Sequence, residues 1–227
     1  MARTKTKTAP TPPAPPQQPL QWPAIPAQTR PLSLEQVSPG ILVADSFFSP
    51  ALRKTFISFL RANVKLQPPR PPGRGEAART NERISFDAPD FAAKLWEDSG
   101  LREACAEIEG RNGKKAAGLN SNIRIYRYPE GSYFGPHYDD DFHDTKTGMT
   151  SEWTLLIYLT GKEDGVVGGE TAFYPTPTRK DHGPAIVPEL KAGRALLHRH
   201  GQLCALHEGR TVEKGEKWVL RSDVMFR

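Results

Sequence analysis

Within Tyr-Pro-Glu-Gly-Ser-Tyr-Phe-Gly-Pro-His-Tyr-Asp (128–139), His137 and Asp139 are two residues apart. On an extended strand, residues i and i+2 face the same way, so the imidazole and the carboxylate aim at one point while Tyr138 faces away. A neutral imidazole beside a carboxylate suits a divalent metal. One further histidine would complete two imidazoles and one carboxylate, which leave three coordination positions open, the pattern of non-haem iron sites. By itself His-x-Asp describes an ordinary surface loop equally well, so the rest of the chain has to supply the third ligand. Three histidines are candidates: His198, His200 and His207. His198 and His200 flank Arg199 in an expected turn between two strands, and His207 ends an expected strand.

The elements that must position these residues follow from periodicity. Ser49-Pro50 supplies an N-cap and a proline at the first helical position. Leu52, Phe56, Phe59 and Leu60 then recur at helical spacing. A second helical pattern begins at Asp90 with Phe91, Leu95 and Trp96, pauses at Gly100, and continues through Leu101, Cys105 and Ile108. Cys105 lies on the apolar stripe and reads as core packing. After Gly118 the period changes to two, and short strand-like runs follow: 123–128, 153–159, 168–173, 195–197, 203–206 and 217–225. A further short run, 40–44, precedes the first helix. Helices followed by many short strands indicate an α+β fold with a β-sandwich or barrel in its C-terminal half.

The segment 67–75 is rich in Pro, Gly and Arg and reads as a loop. Arg79-Thr80-Asn81-Glu82-Arg83 reads first as a solvated charged turn, with the border of a site as the alternative. His143 and Glu152 read as surface residues. Asp140 and Asp141 are poor ligands by position and belong either to a substrate mouth or to solvent.

Composition narrows the function classes. Of 227 residues, 1–30 hold eight prolines, four basic residues and no acid, which predicts a disordered tail followed by one domain over 31–227. The tail opens Ala2-Arg3-Thr4-Lys5, the letters that open the histone H3 tail, a match too short to assign a role. The net charge of +5 resides almost wholly in that tail, since 31–227 carry 27 basic and 26 acidic residues. The domain thus lacks the overall positive field of a nucleic-acid binder. Two cysteines without a C-x-x-C, no apolar N-terminal run and no long apolar stretch predict a protein of a reducing compartment, cytoplasmic or nuclear, without a membrane span. Nothing in the residues speaks to oligomeric state.

Several motifs together resemble the prolyl-4-hydroxylase-type 2-oxoglutarate/Fe(II)-dependent dioxygenases. They are His137-x-Asp139, a gap of 67 residues to His207, Lys217 ten positions further, Arg127-Tyr128-x-x-Gly131, and Gly168-Gly169-Glu170-Thr171. The resemblance covers about residues 40–227. It implies a double-stranded β-helix (jelly-roll) core with supporting N-terminal helices, and His137, Asp139 and His207 as metal ligands. It also implies Fe(II), 2-oxoglutarate and O2 as cofactors, with ascorbate as an accessory. The far carboxylate of 2-oxoglutarate lies in an apolar barrel in such enzymes and needs a buried cation. Lys217 is the expected cation, with Tyr128 and Thr171 adding hydroxyls. Arg221, on the same face of the last strand, is the alternative, or else forms a structural ion pair with Asp223. The implied activity is hydroxylation of a C–H bond, with a prolyl residue of a peptide or protein as the substrate suggested by analogy. A nucleic-acid oxidative demethylase of the same iron chemistry, and a non-catalytic chromatin or interaction module, are the alternatives.

Overall fold

The computed structural model describes residues 20–178 and 181–227. Among these described residues, thirteen strands and three α-helices follow in chain order. β1 (Glu35–Ser38) and β2 (Ile41–Ala44) form a hairpin and lead into α1 (Pro50–Asn63). β3 (Glu82–Asp87), α2 (Pro89–Asp98) and α3 (Leu101–Ala104) come next. β4 (Ala116–Leu119), β5 (Asn122–Tyr128), β6 (Phe134–His137) and β7 (Thr150–Tyr158) then open the β half. It is completed by β8 (Val167–Gly168), β9 (Thr171–Tyr174), β10 (Ala195–Arg199), β11 (Leu206–Gly209), β12 (Val212–Lys214) and β13 (Lys217–Phe226).

The large sheet has the order β1-β2-β10-β7-β13-β5-β3, with β4 added on β13. A smaller sheet, β6-β11-β9, faces it, and β8 pairs with β12 at one side. All pairings are antiparallel and many join distant strands, as a jelly roll requires. β7 and β13 lie at the centre of the large sheet. The expected strand at 153–159 has that role because it is apolar on both faces, with Trp153, Leu155 and Ile157 towards the helices and Leu156 and Tyr158 towards the interior.

The sheet divides the core in two. On one face α1 and α2 pack against Ile123, Ile125, Leu155, Trp218 and Leu220. The other face lines the space between the sheets with Tyr126, Tyr128, Tyr158 and Val219. Alternation along β13 therefore sends Trp218 and Leu220 to the helices and Lys217, Val219 and Arg221 to the interior. α1 begins as its cap predicts, with Ser49 Oγ accepting the Leu52 N–H at 3.2 Å, and buries Phe56 and Leu60. α3 is shorter than its pattern suggests, ending at Ala104. Cys105 just beyond it is fully buried, and burial pushes its thiol up to about 12. Among the described residues, no helix is long and apolar enough to cross a membrane.

Order begins before the expected boundary at residue 30. Trp22 stacks on Phe91 at 4.4 Å between centroids and meets Phe59 and Phe86 at 5.8 and 5.6 Å, while Ile25 joins the core. One aromatic and one branched residue in a proline-rich stretch suffice, because proline lowers the entropy lost on docking. Residues 1–19 of the expected tail lie outside the described residues.

Candidate metal centre and cosubstrate pocket

β6 ends at His137, and Asp139 follows one residue beyond it. The two still converge, with His137 Nε2 3.7 Å from Asp139 Oδ1, and Tyr138 is turned out, 56% exposed. The third member arrives by sheet pairing. β11 lies beside β6 with His207 directly opposite His137, and His207 Nε2 is 3.6 Å from Asp139 Oδ2. His137, Asp139 and His207 form one group whose potential ligand atoms all lie within 4.8 Å of one another.

Each ring is oriented by the backbone. His137 Nδ1 faces the Gly135 carbonyl at 2.9 Å and His207 Nδ1 the Ala205 carbonyl at 3.0 Å. A carbonyl only accepts, so both Nδ1 atoms carry a proton and each Nε2 is the atom left for a cation, that of His207 once it gives up the proton it holds against Asp139. Burial, reinforced by the neighbouring His207, lowers His137 to about 3. Burial also opposes charge on His207, but the Asp139 carboxylate outweighs it and lifts that imidazole to about 9. Burial likewise works against the Asp139 anion, yet Arg221, His207 and His198 hold its carboxyl well below the usual carboxylate range. Two imidazoles and a carboxylate of this kind fit a divalent first-row metal.

Arg221 lies behind this group. It donates to Asp139 Oδ1 at 3.0 Å and reaches Asp223 Oδ1 at 3.3 Å, and Thr154 Oγ1 donates to Asp139 Oδ2 at 2.9 Å. The guanidinium considered for the cosubstrate is thus engaged by two carboxylates, the structural pair expected with Asp223 being half of its role. His200, the rival distal ligand, is bonded to Thr154 Oγ1 at 3.0 Å and Ser151 Oγ at 2.9 Å and supports Asp139 from one remove.

His198 is not in a turn. It is on β10, 2% exposed, with Nε2 3.6 Å from Asp139 Oδ2 and without a hydrogen-bond partner. With Cys204 and His207 it makes a second possible ligand group that shares His207. Its alternation with Leu197 on an apolar strand was the available signal, since Leu197 packs towards the helices and residue 198 must face inward.

Deeper in the same cavity lies Lys217, 2% exposed, opposite Tyr128 in the β5–β13 pairing. Its Nζ donates to the Gly169 carbonyl at 2.6 Å and lies 5.0 and 5.3 Å from the Tyr128 and Tyr158 ring centroids. No carboxylate pairs with it among the described residues, and burial pulls its ammonium down to about 7. Gly168 and Gly169, at φ +72 and +74°, make the left-handed turn that brings this carbonyl to Lys217. Thr171 Oγ1 is 2.7 Å from the Tyr158 hydroxyl and lines the cavity with Tyr128. Sequence reasoning did not single out Tyr158, whose place follows only from the crossing of β7 and β9.

Two surface expectations are corrected. Glu152 is buried, accepting the Arg111 N–H at 2.7 Å, because residue 152 falls inside β7 rather than ahead of it. Arg79–Arg83 borders the site, the alternative reading, although Thr80 and Arg83 are exposed: Arg79 lies over the Phe134 ring at 3.6 Å, and that ring stacks on His137 at 3.7 Å. Asp141 pairs with Arg111 at 2.6 Å, Asp140 is exposed at the rim of the adjoining groove, and His143 is an exposed residue bonded to Thr150 at 3.1 Å.

A jelly roll that brings two imidazoles, a carboxylate and a buried lysine into one cavity has the make-up of a metal-dependent oxygenase. Residues 123–222, which hold all of these groups, match the 2OG-Fe(II) oxygenase superfamily. The fold matches a prolyl-4-hydroxylase from Pseudomonas putida (18% identity, 83% of this chain and 93% of that one, TM-score 0.57). It also matches the viral collagen prolyl hydroxylase of Paramecium bursaria Chlorella virus-1 in its 2-oxoglutarate complex (18% identity, 82% and 96%, TM-score 0.52). A Trichoplax adhaerens prolyl hydroxylase, solved with a peptide fragment of hypoxia inducible factor, matches at 14% identity over 82% and 83%, TM-score 0.55. No curated protein sequence matches the chain. Residues 123–222 thus form a 2OG-Fe(II) oxygenase domain on a prolyl-hydroxylase-like jelly roll, and Fe(II), 2-oxoglutarate and O2 are the cofactors that this superfamily implies.

Proposed function

We propose that this enzyme hydroxylates a C–H bond of a peptide or protein, at a prolyl residue, releasing succinate and CO2. His137, Asp139 and His207 hold Fe(II). Lys217 pairs with the far carboxylate of 2-oxoglutarate, and Tyr128 and Thr171 add hydrogen bonds to it. Arg221 does not bind the cosubstrate but holds Asp139 as a charged, oriented ligand.

The observation that carries the reading is Lys217. A buried ammonium whose polar neighbour is one carbonyl is costly unless an anion joins it. The cavity that contains it also contains the metal group, so one small dianion can meet both. The bound metal and cosubstrate supply the oxidising power, drawn from O2, and the chain supplies placement and exclusion of water. The carbonyls of Gly135 and Ala205 keep both imidazoles in the ligating tautomer. Arg221 and Thr154 prevent the carboxylate from rotating away. Tyr126, Phe134 and Leu156 wall the cavity against solvent. The prolyl target rests on likeness to the solved prolyl hydroxylases, one of them seen with a peptide.

The test is anaerobic addition of Fe(II) and 2-oxoglutarate, which should give the weak visible absorption of their chelate. Proline-containing peptides, once air is admitted, should gain 16 Da by mass spectrometry, with succinate formed in step. An absent chelate band would refute the cofactor assignment, and a band with oxidation only at other residues would refute the prolyl target.

A further inference from the structure

Beside the metal group runs an open groove of about 770 Å3, lined by the 67–76 loop, by Arg79, Asn81 and Arg83, and by His137 and Asp140. Two polar groups on it have no partner. Arg79 Nη1 is buried and makes no hydrogen bond, and Asn81, 1% exposed, has an unpartnered Oδ1. Arg83 also lacks a carboxylate partner among the described residues, and its charge, like that of Arg221, repels the Arg79 guanidinium. The acids nearby are taken. Glu76 is held by Arg70 at 2.7 Å and the Gly73 N–H at 2.9 Å, and Asp139 by Arg221 at 3.0 Å. Among the described residues lining the groove, Asp140 is the acid without an ion pair, and it is exposed at the rim.

A buried polar group without a partner is destabilising in the free protein, more so when charged. Two neighbouring guanidiniums without acids make this a place where an anion is missing. A planar fork suits a carboxylate, which it can grip through two parallel bonds. That anion is not the far carboxylate of the cosubstrate, since Arg79 does not line the cavity around Lys217. The unpartnered Asn81 oxygen asks for a donor, and a peptide chain has one at nearly every residue. Arg79 is linked to the reacting centre through the Phe134 ring, so a group it holds is anchored near His137.

Resting on the peptide-hydroxylase reading above, we propose that this groove is the substrate channel and that it selects an acidic peptide. Arg79, aided by Arg83, receives a carboxylate close to the residue that is oxidised, and Asn81 accepts a backbone N–H.

The experiment uses the full chain loaded with Mn(II) and 2-oxoglutarate. Two fluorescent pentapeptide pools, each with a central proline and randomised outer positions, are compared by anisotropy; one carries Asp on either side of the proline and the other the uncharged isostere Asn. A charge-assisted contact of this kind favours the Asp pool between about 10- and 100-fold. Arg79→Gln should abolish the preference, Arg79→Lys should restore part of it, and Arg83→Gln, at an exposed position, should reduce it. Should Arg79→Gln fail to fold, Arg83→Gln decides. The inference is overturned if the wild type shows no preference for the Asp pool, whether both pools bind or neither does. It is overturned equally if the preference survives unchanged in the folded variants. A third contrary result is that Arg79→Gln weakens the anaerobic 2-oxoglutarate band, which would give Arg79 to the cosubstrate. Absence of that band in the wild type would sink the hydroxylase reading instead, so the two failures are distinct.

Discussion

Lys217→Met should change stability and cosubstrate affinity in opposite directions. In the free enzyme the ammonium is fully buried beside the Gly169 carbonyl, and burial lowers it from the ordinary 10.5 to about 7. That displacement corresponds to about 5 kcal/mol against the charged form, at roughly 1.4 kcal/mol per pH unit. Methionine fills a similar volume without charge but leaves the Gly169 carbonyl without this donor, so a net gain of about 1–3 kcal/mol is the reasonable expectation. The pH dependence carries a definite sign. Between pH 7 and 10.5 the unfolded chain holds a proton on this lysine that the folded chain has released. The wild type therefore gains stability from this group as pH rises through that window, and the variant lacks the gain. With 2-oxoglutarate the order reverses. Removing one partner of a buried ion pair typically costs about 3–5 kcal/mol, so the cosubstrate should bind two to three orders of magnitude more weakly. Denaturant melts at pH 7 and pH 9, and titration of the anaerobic chelate band, measure both effects. A variant that is less stable than wild type and still binds 2-oxoglutarate tightly would show that Lys217 is a structural residue.

Other substitutions separate the remaining roles. Alanine at His137 or His207 should abolish the chelate band, whereas His200→Ala, which removes the support of Thr154, should weaken it; the reverse ranking would move the distal ligand. Arg221→Met leaves the Asp139 carboxylate buried without its guanidinium, while Asp223 keeps Arg124 at 3.1 Å. It should destabilise the metal-free protein by about 3–5 kcal/mol in a chemical melt, with a much smaller change in 2-oxoglutarate affinity than Lys217→Met produces. Trp22→Ala removes three aromatic contacts and should lower stability by about 2–4 kcal/mol, and deletion of 1–30 should lower the melting temperature likewise. An unchanged melt for both would place the start of the folded unit after residue 30.

Local pattern was enough for what neighbouring residues decide. The convergence of His137 and Asp139 needs only an extended backbone, and it holds even though β6 stops at His137. The inward face of Lys217 and Arg221 follows from alternation along one strand, and α1 follows from Ser49, Pro50 and the spacing of Phe56 and Leu60. The spacing of His207 and Lys217 carried the resemblance as a linear motif. The tertiary structure decided what depends on which strands become neighbours. His207 faces His137 because β11 pairs with β6, while β10 between β2 and β7 puts His198 within 3.6 Å of Asp139. Arg221 finds Asp139, 82 residues away in sequence, only once the two sheets face each other. Arg79 looked like part of a charged turn because its partner is a ring, Phe134, and no ring 55 positions downstream is visible to a periodicity argument. Trp22 was lost in a proline-rich stretch for the same reason: its partners Phe59, Phe86 and Phe91 come from α1, β3 and α2, and packing between elements leaves no periodic trace in any one of them.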